Sequence, residues 1–484
     1  MGLIGILVAL GFLIYRAFLG GSILLLAPAA AIIAAIFSGE PILANLTQVF
    51  MQSTATFIGQ FFFLFLLGAL FGKLMEDSRS VEAIADFMTT KLGVERAILA
   101  VVLAGALVTY GGVSVFVSFF VIAPMAQALF RAADIPHRLI PGAIMLGTAT
   151  FTMTALPGTP SINNAIPMPF FGTDPFAAPG LGIIAALIMF AFGMWWLNRS
   201  AKVARLKGEG YGFDPPVDLE EVAEDSAVRE RATMAQAFDP AEAVHGALGS
   251  TKPSALVAMT PLAVVILVNL AMSQFILPNV DTSFLAEPEW GATSIGAVGG
   301  VWSVVTALFC AIVVTVALNF RRMPELHASV TAGATAAVLP AVSVASLVGF
   351  GGVVANLPAF QMVADWVMSI EGGPLVSLAV STNILAALTG SASGGLTIAL
   401  DALGPIYMQI AQETGLSPEL LHRVAVVGSG ALDSLPHNGA VVTLLAVCGS
   451  THGKSYIDIV MACMVGPVVA LVAIIALGSA FGSF

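Results

Sequence analysis

The residues with the strongest claim to chemistry are Asp433 and His437, which flank Pro436 in the run LDSLPHNGAV. Histidine titrates near neutral pH and a carboxylate can hold a proton or a cation, so the two together suit ion coupling. Their four-residue spacing would set them on one helix face, but Pro436 interrupts the helix between them. The plainer reading is a hydrogen-bonded pair that pins a broken helix. Ser434 and Asn438 add neutral donors and acceptors at the same place. Three other stretches have this character: Gly111, Gly112 and Ser114; Thr159, Ser161 and Asn163; and Ser391, Ser393, Gly394 and Gly395. Glycine lets backbone leave a helix, and the freed amino end of a half-helix suits a carboxylate without any buried arginine. A lone Gly-Gly more often allows close helix packing, whereas a repeated set with proline breaks points to binding. Asp401, in an apolar run after Gly395, has weaker context as a functional carboxylate. His137, His422 and His452 read as interfacial, and His245 and His327 as ordinary polar-loop or helix-end residues. No HExxH cluster and no serine–histidine pair in a hydrolase setting occurs, so neither an enzyme nor a metal or other cofactor is expected.

Such residues must be held by elements that sit in lipid. The chain has 484 residues, 58% hydrophobic and 10% charged, where soluble domains carry about 25% charged residues. A spanning helix needs about 20 apolar residues, so there is room for roughly a dozen spans and one polar loop. Much of the net charge of −11 comes from the loop between Arg199 and Lys252, which leaves no case for a nucleic-acid partner. Cys310, Cys448 and Cys463 lie in apolar runs without CxxC spacing. Gly2–Leu19 lacks a basic leader and a cleavage site and reads as a retained span, separated at Gly20-Gly21 from Ser22–Phe37. The expected organisation is a membrane repeat over 1–197, a polar cytoplasmic linker over 198–254 and a second membrane repeat over 255–484.

Within that frame, Ala97–Thr109 and Val115–Leu129 read as two arms of a re-entrant hairpin with its tip at Gly111-Gly112. A charged amphipathic stretch, Lys73–Arg96, precedes it. Leu375–Thr414 repeats the hairpin pattern, and a span over Val330–Phe350 is expected to end at the glycines 349–352. Arg138 follows Gly112 by 26 residues and Arg423 follows Gly395 by 28, each preceded by histidine and each opening an apolar span that ends in Leu-Pro. With Arg16, Lys73–Arg96, Arg131, Arg138, Arg199–Lys207 and Arg321-Arg322 cytoplasmic, His422-Arg423 falls outside and Lys454 inside. The fold class is therefore an all-α polytopic membrane protein of two inverted repeats with re-entrant helical hairpins and broken transmembrane helices, in which substrate binds near the midplane.

LDSLPHNGAV followed by LLAVCGSTHGKSYID, with the TGSASGG hairpin, resembles the gluconate–proton symporter (GntP) family of bacterial permeases, within the ion transporter superfamily. The resemblance implies a multi-pass permease of the bacterial inner membrane, a homodimer with an elevator mechanism, taking up a sugar acid or small hydroxy-carboxylate with protons. It assigns substrate binding to Gly111, Gly112, Ser114, Thr159, Ser161, Asn163, Ser391, Ser393, Gly394, Gly395, Ser434 and Asn438, and ion coupling to Asp433 and His437. The first-half break here, LPGTPSINN, has no histidine, whereas gluconate-type members have a His-Pro-rich break. That departure favours a smaller, hydroxybutyrate-like acid over gluconate. Sodium coupling stays open, because Ser/Asn/Thr tips elsewhere in the superfamily bind sodium. A cation/proton antiporter using Asp433 and Asp401 is the alternative, weakened by the small number of intramembrane acids.

Overall fold

The computed structural model describes residues 2–19, 21–212, 217–225, 229, 233, 238–243 and 245–484. Gly20 and parts of the 198–254 linker thus lie outside the described residues. The described residues form helices joined by turns and loops, with no strand among them. Helices α1 (Gly2–Phe18) and α2 (Ile23–Ser38) pack together as a hairpin. A π-helical turn, Asn45–Phe50, leads into the long α3 (Met51–Asp77). Gly93, at φ +73°, ends α4 (Ser80–Leu92), and the chain bends by 107° into α5 (Ala97–Tyr110). A turn at Gly111-Gly112 returns it as α6 (Val115–Ala132). The φ of +98° at Gly112 is a left-handed conformation that a side chain would strain, which is why the reversal sits on glycine.

The first broken helix follows as α7 (Ile140–Thr148), α8 (Phe151–Thr154), α9 (Ile162–Ala165) and α10 (Pro167–Phe171). Pro157 and Pro160 cannot donate to a helix, so the chain between α8 and α9 is unwound. The chain then forms α11 (Pro179–Leu206) and, in the linker, the short α12 (Leu219–Glu224), capped by Asp218. The linker is tied back to the membrane helices. Gly249 N–H donates to Asp77 O at 2.7 Å, and the Lys252 ammonium sits 2.7 Å from Asp86 and 3.3 Å from Glu82. Hydrogen bonding to Asp86 first, and to Glu82, raises the pKa of Lys252 above its ordinary value against a smaller opposing cost of burial.

The second half begins with another hairpin, α13 (Ala255–Leu270) and α14 (Ile295–Asn319). It continues through α15 (Leu326–Thr335), α16 (Val338–Asn356) and α17 (Phe360–Met368). The second re-entrant hairpin is α18 (Pro374–Thr389) and α19 (Ala392–Thr414), turning at Gly390, φ +65°. The second broken helix is α20 (Pro418–Ala431) and α21 (Gly439–Val447), unwound at Leu432–Asn438. Helices α22 (His452–Val460) and α23 (Gly466–Phe481) finish the chain, joined by a π-helical turn.

The contacts of the two halves mirror each other. Helix α2 packs on α16 as α14 packs on α3, and α1 touches α17 and α18 as α13 touches α4 and α5. Each opening hairpin therefore covers the re-entrant hairpin of the opposite half. The broken helices are related in the same way. The start of the first, at Arg138, bonds Asp458 after the second break, while the start of the second, at His422 and Arg423, bonds Thr173 and Ala177 after the first. Each begins beside the other's end, which is the inverted-repeat arrangement.

Seven helices among the described residues are long and apolar enough to cross a membrane, or eight counting the bent α4–α5 pair. This is fewer than the dozen the length allows, because hairpin and broken-helix arms are individually too short. Helix α6 is the exception among these arms, since its 18 residues meet the length and composition of a span while the 14 of α5 do not. The expected end of a span at glycines 349–352 is not found, and α16 runs on to Asn356. Those glycines instead let α3 approach: a Cβ at Gly349 would lie 2.4 Å from Thr54 Oγ1, and one at Gly352 would lie 2.2 Å from Ser53 Oγ. In lipid, such close packing and hydrogen bonding replace the hydrophobic effect as the force between helices. Nor does Lys73 belong to an exposed amphipathic stretch. It is buried one turn before the end of α3, 3.2 Å from Glu76 and 3.1 Å from Asp77.

Candidate functional site

At the first hairpin tip, Ser114 caps α6, its hydroxyl accepting from Phe116 N–H at 3.3 Å. At the neighbouring break, Ser161 caps α9 by accepting from Asn163 N–H at 3.3 Å, and its own N–H donates to Thr159 Oγ1. The two caps face a shared cavity of ≈70 Å³, lined by Thr109, Gly112, Ser114, Pro160 and Ser161 among apolar neighbours and without a charged side chain. A single water needs roughly 10–15 Å³ of such space, so the cavity has room for waters or a carboxylate group. Asn163 is 3% exposed, and its side-chain amide makes no hydrogen bond among the described residues.

The carbonyls freed by the first break are held from outside it. Tyr110 O–H donates to Pro157 O at 2.8 Å and Asn269, on α13, donates to Gly158 O at 2.9 Å. Asn164 donates to both Thr159 O (3.1 Å) and Pro175 O (3.0 Å). Its own oxygen faces His422 Nε2 at 3.2 Å and accepts from Arg423 Nη1 at 3.4 Å. His422 Nδ1 lies 2.6 Å from Thr173 Oγ1, and Arg423 also donates twice to Ala177 O. Both residues are 0% exposed, so the expectation of an interfacial His422 fails: the pair is an internal clasp from one broken helix onto the other. Among the described residues Arg423 makes only neutral hydrogen bonds, whereas its counterpart Arg138 pairs with Asp458 and Glu209.

At the second tip, Ser391 caps α19, accepting from Gly394 N–H at 3.0 Å, with Ser393 Oγ 3.3 Å from Ser391 Oγ. Asn438 caps α21 through the N–H groups of Ala440 and Val441. The Asn438 side chain also donates to Gly390 O at 2.9 Å and to Asp433 Oδ1 at 2.8 Å, joining the tip to the break. The backbone N–H of Ala392, first residue of α19, faces the same carboxylate. Helix does not persist from Asp433 to His437, so four-residue spacing does not set them on one face; His437 Nε2 lies 3.1 Å from Ala387 O on the hairpin. Tyr456 O–H donates to Ser434 O at 3.2 Å, and His452, which is exposed, lies 2.8 Å from Pro436 O.

The structure thus gathers the singled-out residues into two tip-and-break pairs. The broken helices meet where Gly430 faces Thr154, at a point with no room for a Cβ. Gly111, Gly394 and Gly395 lie at helix contacts: a Cβ on each would collide with Leu262, Leu347 and the Ala386 backbone respectively. Four residues that organise the first break, Tyr110, Asn164, Thr173 and Asn269, were absent from the sequence-derived site. Asn164 stands beside the chosen Asn163 and is the same residue type, and the direction of its side chain sets it apart.

A model of the GntP family permeases matches residues 1–209. An uncharacterized transporter of Bacillus subtilis, YxjC, is 41% identical over 466 residues, covering 95% of each chain. Among solved structures, the YdaH transporter of Alcanivorax borkumensis superposes with a TM-score of 0.57 at 15% identity, over 91% of this chain and 89% of that one. The antimetabolite efflux pump MtrF of Neisseria gonorrhoeae gives 0.53 at 13% identity, over 91% and 84%. At such identities these two are similar in fold alone.

Proposed function

This chain belongs to the GntP family of permeases, and from that membership and its paired helix breaks we propose that it is a proton-coupled secondary transporter of a small organic anion. The observation that carries the reading is the neutral cavity at the first tip. Helix amino ends concentrate unpaired N–H groups and the positive end of the helix dipole, which favours a carboxylate held by Ser114 and Ser161. Thr109 adds a further hydroxyl to the lining of that cavity, and Thr159 and Asn163 stand in the adjoining break. Asp433 carries the coupling proton, with His437, Ser434 and Asn438 around it and Ser391 and Ser393 at the facing tip. A small hydroxy-carboxylate fits ≈70 Å³ at the tip better than a long sugar acid, whose chain would have to extend beyond it.

Family membership also supports a homodimer in the bacterial inner membrane. Elevator-type movement follows naturally if the hairpins and broken helices slide as one body against the long helices α3 and α16. Uptake into proteoliposomes tests the reading, using labelled 3-hydroxybutyrate, lactate, gluconate and citrate, a pH gradient, and sodium present or absent. Uptake of one acid that follows the proton gradient, and loses that dependence in Asp433→Asn, is the expected result. Uptake driven by sodium alone would reassign the coupling ion. Proton movement provoked by sodium or potassium with no acid taken up would replace the symporter by an antiporter.

A further inference from the structure

We infer that Asp401 is a second proton site, separate from Asp433, so that a substrate anion enters with two protons rather than one. The inference deepens the proton-coupled reading above and rests on it. Asp401 lies in the apolar middle of α19, the second arm of the second re-entrant hairpin. It is half-buried there, and its carboxylate makes no hydrogen bond or ion pair among the described residues. A carboxylate kept for structure is paired, because an unpaired charge inside a span costs about 2.5–3.5 kcal/mol. Nothing nearby supplies the pair. Helices α9, α10, α16 and α18, which pack on α19, carry no titratable side chain, and α3 carries none before Lys73. On α20, Glu419 is exposed, and His422 and Arg423 are taken up by the clasp onto the first break. Within α19, Tyr407 Oη lies 2.8 Å from Ser377 Oγ, and Glu413 accepts from Gln409. Asp401 loses its charge by taking a proton, not by pairing.

Its surroundings give that proton a route. Asp401 Oδ2 and Ser53 Oγ, on α3, converge on Gly352 of α16: a Cβ built there would lie 3.8 Å from the first and 2.2 Å from the second. The carboxylate thus stands at the seam between the re-entrant hairpin and the long helices α3 and α16. Beside Ser53, α3 presents a polar face, with Gln52, Thr56 and Gln60 at four-residue intervals and all exposed. The side-chain amides of Gln52 and Gln60 make no hydrogen bond among the described residues. A spanning helix turns such groups to water or protein, not to lipid. Two features from opposite halves of the sequence, an unpaired acid and a polar face, meet at one place. Protons held at Asp401 and Asp433 together carry two positive charges in with the anion, whereas Asp433 alone carries one.

Counting charge in proteoliposomes tests this, with the potential set by potassium and valinomycin and with whichever labelled monocarboxylate the wild-type protein carries. Wild type should move net positive charge inward, and an inside-negative potential of about 100 mV should raise its accumulation of the acid by up to about fiftyfold. Asp401→Asn should move one charge fewer per acid, which makes its accumulation indifferent to the potential, and Asp401→Glu should keep the wild-type response. A purely structural role would alter rate or expression and leave the charge per acid unchanged. Wild-type accumulation indifferent to the potential, or an Asp401→Asn response equal to that of wild type, overturns the inference. If Asp401→Asn fails to fold or takes up no acid, modification of the wild-type protein by an apolar carbodiimide, which attacks protonated carboxyl groups, decides. Labelling of Asp401 that increases as pH falls supports the inference, and absence of labelling overturns it. Neither result touches Asp433, whose own variant tests the reading above. Absence of uptake of every acid by wild type would remove both.

Discussion

The first and second helix breaks are made by the same device and held by different hands. Proline ends hydrogen bonding in both, and a polar cap restarts a half-helix in both, at Ser161 and at Asn438. The first break is held across the molecule, by Asn269 from α13 and by His422 and Arg423 acting through Asn164. The second is held within its own half, by Asn438, His452 and Tyr456. The first break contains no acid, and the second contains Asp433. A symmetric fold here carries asymmetric chemistry, with a neutral first break and an acid bonded to the cap at the second.

The largest expected effect falls on the cross-half clasp. Arg423→Leu strands Ala177 O and removes a donor from Asn164 in a dry interior, which should cost about 3 kcal/mol or more and abolish a cooperative melting transition in detergent. A melting temperature near that of the wild type would mean that the first break does not depend on the second half. Next come the two asparagines. Asn164→Ala removes the amide that donates to Thr159 O and Pro175 O, Asn438→Ala the one that donates to Gly390 O and the Asp433 carboxylate, and each should cost about 2–4 kcal/mol. Carboxylate replacements separate them. Asn164→Asp would face Arg423, whereas Asn438→Asp would face Asp433, so the second should melt at the lower temperature, and the reverse order would break the comparison.

Smaller effects follow from single hydrogen bonds. Tyr110→Phe removes the 2.8 Å bond to Pro157 O and should cost about 1 kcal/mol, with KM raised a few-fold because the first break loosens. Tyr456→Phe loses a longer 3.2 Å bond at the second break and should change stability by about half as much, with KM unmoved. Equal changes in KM would show that both breaks touch substrate.

Much of this was legible in order along the chain. Gly111-Gly112, Gly390, Pro157 and Pro436 each act within a few residues of themselves, so the turns and breaks they force could be located without a structure. The His-Arg spacing disclosed the repeat. What escaped was every partner supplied from far away. Asn269 lies 111 residues from the carbonyl it holds, and Thr173 lies 249 residues from His422. His422 looked interfacial because histidine beside arginine at the start of a span usually is; a partner on the other broken helix makes full burial tolerable here.

Composition and local backbone chemistry by themselves determined that this is an all-helical membrane protein with two hairpins and two broken helices. Those features depend on apolar content and on glycine and proline, whose effects are local. Only the tertiary structure decided which opened backbone groups are already satisfied and which remain available. That distinction separates Asn164 from Asn163. It depends on where side chains from the opposite half arrive, as His422 and Arg423 do at Asn164, and no spacing within one segment encodes that.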